Sequence, residues 1–295
     1  MAYEMRKKQG CDTSALATKT AGIVSGYLAK NRNVIVDTLP KGFNFDRMCR
    51  SVINAISTTP AIAKCDAGSL FLSTVRAFSL GLEPNGALAE GYLVPFWNSK
   101  KGINEAQFMP SYRGLIQLAR RSGKIADVYA KAVYANDTFE VEEGTERKII
   151  HKPDYTKDRG EAVCYYAVFH TTDGAVDFEV MSKGEIDRVK ASSKAAGAGP
   201  WKDWYEEMAK KTVVKRLLKR APMSIELSDA IELENRAAMG ETQTDAGNVL
   251  DIDGLEMPDE SDTPAEVQRE INADRAAELK AKLAEKKPET SDSLV

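Results

Sequence analysis

No stretch of the sequence stays apolar for the roughly 18 to 20 residues that crossing a bilayer takes, and the polar opening MAYEMRKKQG lacks the apolar segment of a secretory signal. A cytoplasmic protein without membrane contact is expected. Histidine and cysteine are scarce. His151 and His170 lie far apart in sequence, and Cys11, Cys49, Cys65 and Cys164 form no CxxC pair. That spacing argues against a structural zinc site and against a disulfide framework, and leaves the cysteines as plain buried or half-buried side chains. Signatures of nucleotide handling and hydrolysis are missing too. There is no G-x-x-x-x-G-K-[ST], since Lys211-Thr212 lacks the glycines that motif requires, and neither GxSxG nor HExxH occurs. No cofactor is expected.

What is present is core material and an uneven charge. With 43% apolar and 29% charged residues over 295 positions, the chain is long enough for one or two domains. The net charge of −3 conceals an asymmetry: residues 223–295 carry a balance of −12, and the first 222 residues carry +9. A basic body with an acidic tail suggests a polyanion-binding domain joined to a solvated or partner-binding extension.

Along the chain, a helix is expected from about Thr13 to Lys30. A second, Phe45 to Ser57, has Phe45, Met48, Val52 and Ile56 at helical spacing. Asp66 caps a third, through Leu70, Phe71, Val75 and Phe78, which Gly81 ends. Strand signals then dominate from Ala89 to Ser182. GYLVPFW and EAQFMPSY flank a turn at 98–102, a strand pair is expected around Ala135-Asn136-Asp137, and EAVCYYAVFH pairs with AVDFEVM across Thr172-Asp173-Gly174. Between the hairpins, YRGLIQLARRSG predicts a helix closed by Gly123. Ser182 and Glu185 form a capping box for a helix to about Lys190, and 192–199 reads as a flexible loop. Hairpins with intervening helices predict an α+β fold with a mostly antiparallel sheet and packed helices.

The segment most informative for function is EEMAKKTVVKRLLKR, 206–220. At about 100° per residue, Met208, Val213, Val214, Leu217 and Leu218 gather on one side, and Lys211, Lys215, Arg216 and Lys219 on the other. Cations at i, i+4 and i+8 lie about 6 Å apart, suited to following a nucleic-acid backbone. A charged helix face is often merely solvated, but this one has no acid after Glu207. Arg113, Arg120, Arg121 and Lys124 make a second basic cluster with Tyr112 beside it. Tyr112, Trp201 and Trp204 are candidates for base stacking, although aromatic side chains are at least as often core. A metal-dependent nuclease would need converging carboxylates. Asp154, Asp158, Asp177 and Glu179 are available, and alternating acids such as Asp177 and Glu179 are equally expected on the wet face of a hairpin.

Several of these segments resemble, in order, the signatures of the RecT family of phage and prophage recombinases: LGLEPN at 81–86, GYLVPF at 91–96, SYRGLIQLARRSG at 111–123, and GPW with MAKKTVVKRLLKRAPMS between 199 and 224. The resemblance covers roughly residues 43–227. It implies an antiparallel sheet with helices, a single-stranded-DNA groove, assembly into rings or helical filaments, and annealing of complementary strands without nucleotide. It also implies a 5′-to-3′ exonuclease and the host single-strand-binding protein as partners, the tail serving partner contacts. The DNA contacts it implies are Tyr112, Arg113, Lys210, Lys211, Lys215 and Arg216. Ser111 and Arg113 depart from the commonest pattern, which has glycine and lysine there. The amphipathy favours Lys211, Lys215 and Arg216 and places Lys210 nearer the buried side.

The sequence therefore predicts an ATP-independent, oligomeric single-strand annealing protein. Its candidate DNA contacts are Tyr112, Arg113, Arg120, Arg121, Lys124, Trp201, Lys210, Lys211, Lys215, Arg216 and Lys219. The alternative is an adaptor that binds nucleic acid non-specifically and recruits a partner through its tail. Residues 1–42 are read as an N-terminal region with a role in oligomer contact, and 43–236 as the annealing core. A disordered linker is expected over 237–264. In 265–295, a thin stripe of Val267, Ile271, Leu279 and Leu283 predicts a partner-binding helix to about Glu285.

Overall fold

The computed structural model describes residues 2–193, 200–222, 224–239, 241 and 254–258, with the side chains of 2–13 and of Pro200 left aside. The loop residues 194–199 and the predicted C-terminal helix lie outside this range. Five helices come first: α1 (Ala2–Lys30), α2 (Arg32–Thr38), α3 (Phe45–Thr58), α4 (Pro60–Ala63) and α5 (Ala67–Ser79). Their starts follow side-chain chemistry. Asn44 accepts a hydrogen bond from Arg47 N at α3, and Asp66 accepts one from Ser69 N at α5, so each satisfies a backbone donor that the helix itself leaves unpaired. Gly81 ends the run at a φ of 59°, where a Cβ would meet the Arg121 guanidinium, Phe43 and Pro40 within 3 Å.

Next come the antiparallel hairpin β1 (Gly91–Asn98) and β2 (Ile103–Pro110), then α6 (Tyr112–Arg121). The remaining strands are β3 (Ile125–Tyr134), β4 (Thr138–Glu142), β5 (Lys148–Lys152), β6 (Ala162–Thr171) and β7 (Val176–Ser182). The expected α+β fold with antiparallel pairing is present, and so is the β6–β7 hairpin. The strands flanking 135–137, however, do not pair with each other. β3 pairs with β6, with Ala130 opposite Ala167, and β4 pairs with β5, with Glu140 opposite Ile150. The backbone N–H groups of Ala135 and Asn136 donate to the carbonyls of Glu161 and Arg159, which prolongs the β3–β6 ladder and turns β4 out of it. Ten-residue strands can match in length over this distance, whereas β4 has only five residues to offer.

The last of the described helices are α7 (Lys183–Ser192), α8 (Pro200–Asp203), α9 (Tyr205–Leu218) and α10 (Ile225–Met239). α7 has the predicted capping box, Ser182 with Glu185. α9 lies across one face of the β3–β6–β7 sheet and is closed in by α6. One core joins α1, α3, α5, β2, α6, α9 and α10, and a smaller one, Val133, Tyr166, Val168 and Phe178, fills the opposite face of the sheet beneath the β4–β5 hairpin.

α10 has no counterpart in the sequence reading. It buries Leu227, Ala230, Ile231, Leu233 and Ala237, each large apolar side chain contributing about 1.5 to 3 kcal/mol. The expected disordered linker is corrected in part as well. Residues 237–239 belong to α10, and 254–258 lie against the body. The buried Asn31 at the α1–α2 junction holds Glu256 on both sides, donating to its carbonyl at 2.9 Å and accepting from its N–H at 2.7 Å, while Leu255 packs on the core. Among the described residues, no helix is long and apolar enough to cross a membrane.

Candidate nucleic-acid interface

α6 begins at a tight corner. Ser111 caps the helix by accepting from Gly114 N at 3.1 Å and donates its hydroxyl to the Ala89 carbonyl. A Cβ on Gly114 would sit 2.0 Å from the Glu90 carbonyl oxygen, so only glycine lets the helix approach the loop. Leu115, Leu118 and Ala119 are buried, which turns Arg113, Gln117 and Arg120 outward, with Lys124 just beyond the helix. Arg113 and Lys124 are exposed and have no ion-pair partner among the described residues. Arg120 pairs with Asp127, both about half exposed. Tyr112 is half-buried against the core, and burial pushes its hydroxyl pKa up.

Arg121 does something else. Its guanidinium donates to the Leu80 and Gly81 carbonyls at 2.8 and 2.9 Å and lies over the Phe43 ring at 4.7 Å. It therefore caps the C-terminus of α5 and fastens it to α6. Expected as a DNA contact, it is occupied in the fold, and burial draws its pKa down.

The basic face expected on α9 carries no acid of its own after Glu207, but other elements supply acids to it. Lys211 is buried, its Nζ 3.2 Å from Glu234 on α10, and Lys215 pairs with the second oxygen of the same carboxylate. Burial alone would raise the Glu234 carboxyl, but the two ammonium groups outweigh it and hold the pKa at about 2. Lys210 is bound to Glu206 and Glu207 at 2.7 and 3.1 Å. Arg216 reaches Glu179 at 2.7 Å and Glu185 at 3.6 Å, and Arg220 bridges Asp177 and Glu179. Lys219, exposed at the C-terminal end, has no ion-pair partner among the described residues. The basic side of α9 thus runs from the buried Lys211 through the half-buried Lys215 to the exposed Arg216 and Lys219.

The aromatic candidates also divide. Trp201 is 5% exposed, packed edge-on against Tyr205 at 5.9 Å, so its faces are not open to a base; Trp204 is 69% exposed. Of the carboxylates weighed for metal chemistry, Asp177 and Glu179 lie on the helix-facing side of β7, engaged by Arg147, Arg216 and Arg220. Asp154 and Asp158 hold the turn that follows β5, accepting from Thr156 N and Gly160 N. Among the described residues, no three His, Cys, Asp or Glu side chains are grouped to hold a metal ion.

Of the basic candidates, Arg113, Lys124 and Lys219 are thus open, and Arg120, half exposed, is paired with Asp127. Comparison with known proteins bears on what they meet. Residues 46–247 match the profile of the RecT family, a span from α3 past the end of α10. The chain is 37% identical to Protein RecT of Escherichia coli (strain K12) over 236 residues, 79% of this chain and 87% of that protein. It is 26% identical to the uncharacterized protein YqaK of Bacillus subtilis (strain 168) over 220 residues, 73% and 74% of the two chains.

Proposed function

The chain belongs to the RecT family, and from that premise we propose that it binds single-stranded DNA and anneals complementary strands in recombination, as an oligomer and without nucleotide hydrolysis. The geometric observation that carries the reading is the exposed stripe of α6, whose cations point outward while the basic positions of α9 are largely occupied by protein carboxylates. Arg113 and Lys124 hold the phosphates of one strand, Arg120 joins them where a phosphate displaces Asp127, and Lys219 adds a contact at the end of α9. Tyr112 orients the start of the stripe. Phosphates carry no sequence information, so binding is indifferent to sequence, and the bases stay free to test a second strand. Pairing is favourable in itself. The protein lowers phosphate repulsion and the entropy of encounter, and no chemical step is needed.

Lys211 and Lys215 act one step removed, by fixing α10 against α9. Lys210 and Arg216 are held by acids and become available to DNA only where a phosphate displaces a carboxylate. Residues 1–42 contribute to the contact between subunits. The acidic tail engages a 5′-to-3′ exonuclease and the single-strand-binding protein of a bacterial host. The test is the rate at which two complementary labelled oligonucleotides pair with purified protein, without ATP or metal. Acceleration above the spontaneous rate supports annealing. Tight binding without acceleration would instead assign the adaptor role, in which the body only tethers DNA and the tail recruits.

A further inference from the structure

The two faces of the β3–β6–β7 sheet are covered unequally. α9 closes one of them. On the other, the β4–β5 hairpin lays Phe139, Val141 and Ile149 over the small core, with Phe139 nearly parallel to Tyr166 at 5.7 Å. The far end of that face carries Tyr129 and His170, their rings stacked at 6.3 Å and 22°, and the exposed Lys131. Val176, opposite His170 on β7, is 55% exposed.

The basic stripe of α6 ends at this same corner. Arg120 is bonded to Asp127, two residues before Tyr129 on β3, and Thr172 N donates to the Lys124 carbonyl at 2.9 Å. Alternate residues of a strand are about 7 Å apart. Asp127, Tyr129 and Lys131 therefore follow one another along one strand at intervals of about 7 Å, which sets the open ammonium of Lys131 one such interval from the Tyr129 ring. Arg120 and Asp127 neutralise each other, and Lys131 has no ion-pair partner among the described residues. Tyr129 rests on the small core and both rings are half-buried. An aromatic pair held in this way beside an open cation fits a nucleobase and its phosphate better than it fits an apolar protein surface.

We propose that the stacked, half-buried Tyr129–His170 pair is a base-stacking platform for single-stranded DNA, with Lys131 holding a phosphate beside it. This rests on the single-strand-binding reading above and adds to it a site for the bases, on the sheet and not on the helices.

The test measures binding of full-length protein, by fluorescence anisotropy, to a labelled oligothymidine and to an abasic oligonucleotide of equal length. The native protein is expected to prefer the base-bearing strand about tenfold. Tyr129→Leu should remove most of that preference while leaving abasic binding unchanged, and Tyr129→Phe should keep it. His170→Ala, at the rim of the sheet, gives the same reading if Tyr129→Leu fails to fold. An intact preference in both the leucine and alanine variants would overturn the proposal. So would a change in subunit association by sedimentation without a change in preference, which would make the face a contact between copies. If the native protein binds neither strand, the single-strand reading itself fails and the platform with it; if it binds both strands equally, only the platform fails.

Discussion

Replacing Glu234 with alanine leaves two ammonium groups, on Lys211 and Lys215, facing each other in a site where the three side chains are between 7 and 16% exposed. Removing one partner of a buried ionic group costs about 3 to 5 kcal/mol, because the remaining charge keeps its desolvation penalty without its counter-charge. The shift of the Glu234 pKa gives a similar figure: a fall from 4.5 to about 2 is worth about 3 kcal/mol. Because the folded value lies below the unfolded one, this contribution is fully present above about pH 4.5 and is lost as the pH falls toward 2. Against a total stability of about 5 to 15 kcal/mol, the loss should appear as a large drop in the urea midpoint at pH 7, shrinking as the pH is lowered. The triple variant Lys211→Met, Lys215→Met, Glu234→Leu replaces the ionic group with apolar volume and should recover most of the loss. A Glu234→Ala loss below about 1 kcal/mol, or one that does not shrink with acid, would refute the assignment of these lysines to the interior.

Further perturbations separate the scaffold from the surface. Gly114→Ala drives a Cβ onto the Glu90 carbonyl and should lower stability by more than about 2 kcal/mol in a chemical melt; a neutral result would mean that the corner between α6 and the 81–91 loop gives way easily. Ending the chain after Pro258 keeps α10 and the segment held by Asn31, so annealing by purified protein should persist, whereas ending it after Arg236 removes the buried Ala237 and that segment and should lower the melting temperature. Asn31→Ala should speed hydrogen exchange at Glu256, whose N–H loses its acceptor, with a cost of about 1 to 2 kcal/mol; unchanged exchange would show that Leu255 alone holds the segment.

Local chemistry was the legible part of the fold. Asp66, the Ser182–Glu185 box, Gly81 and Gly123 announce themselves because a cap or a left-handed residue acts within a few positions of itself. The pairing of β3 was not legible, since its partner lies beyond two intervening strands and a turn at 135–137 looks the same whether it closes a hairpin or a corner. The candidate site was half legible. The outward face of α6 follows from its own periodicity. The fate of α9 was hidden because the acid that neutralises Lys211 and Lys215 stands in α10, where Glu226, Asp229, Glu232 and Glu234 mask the stripe of Leu227, Ala230, Ile231 and Leu233. One signal was available: Ser224 accepts from Leu227 N, a cap directly ahead of that stripe. Trp201 and Trp204 are three residues apart and alike in type, so nothing in the sequence says that the first is core and the second exposed.

The salt dependence of single-strand binding separates the two basic helices when it is measured for the native protein, for Arg113→Gln with Lys124→Gln, and for the Lys211→Met, Lys215→Met, Glu234→Leu variant. Each phosphate contact contributes about 0.7 to the slope of log affinity against log salt on a single strand. The α6 pair should flatten the slope by about 1.4, and the α9 triple should leave it unchanged. A slope that flattens for the triple variant and holds for the α6 pair would contradict both expectations, and would return the DNA to the basic face of α9.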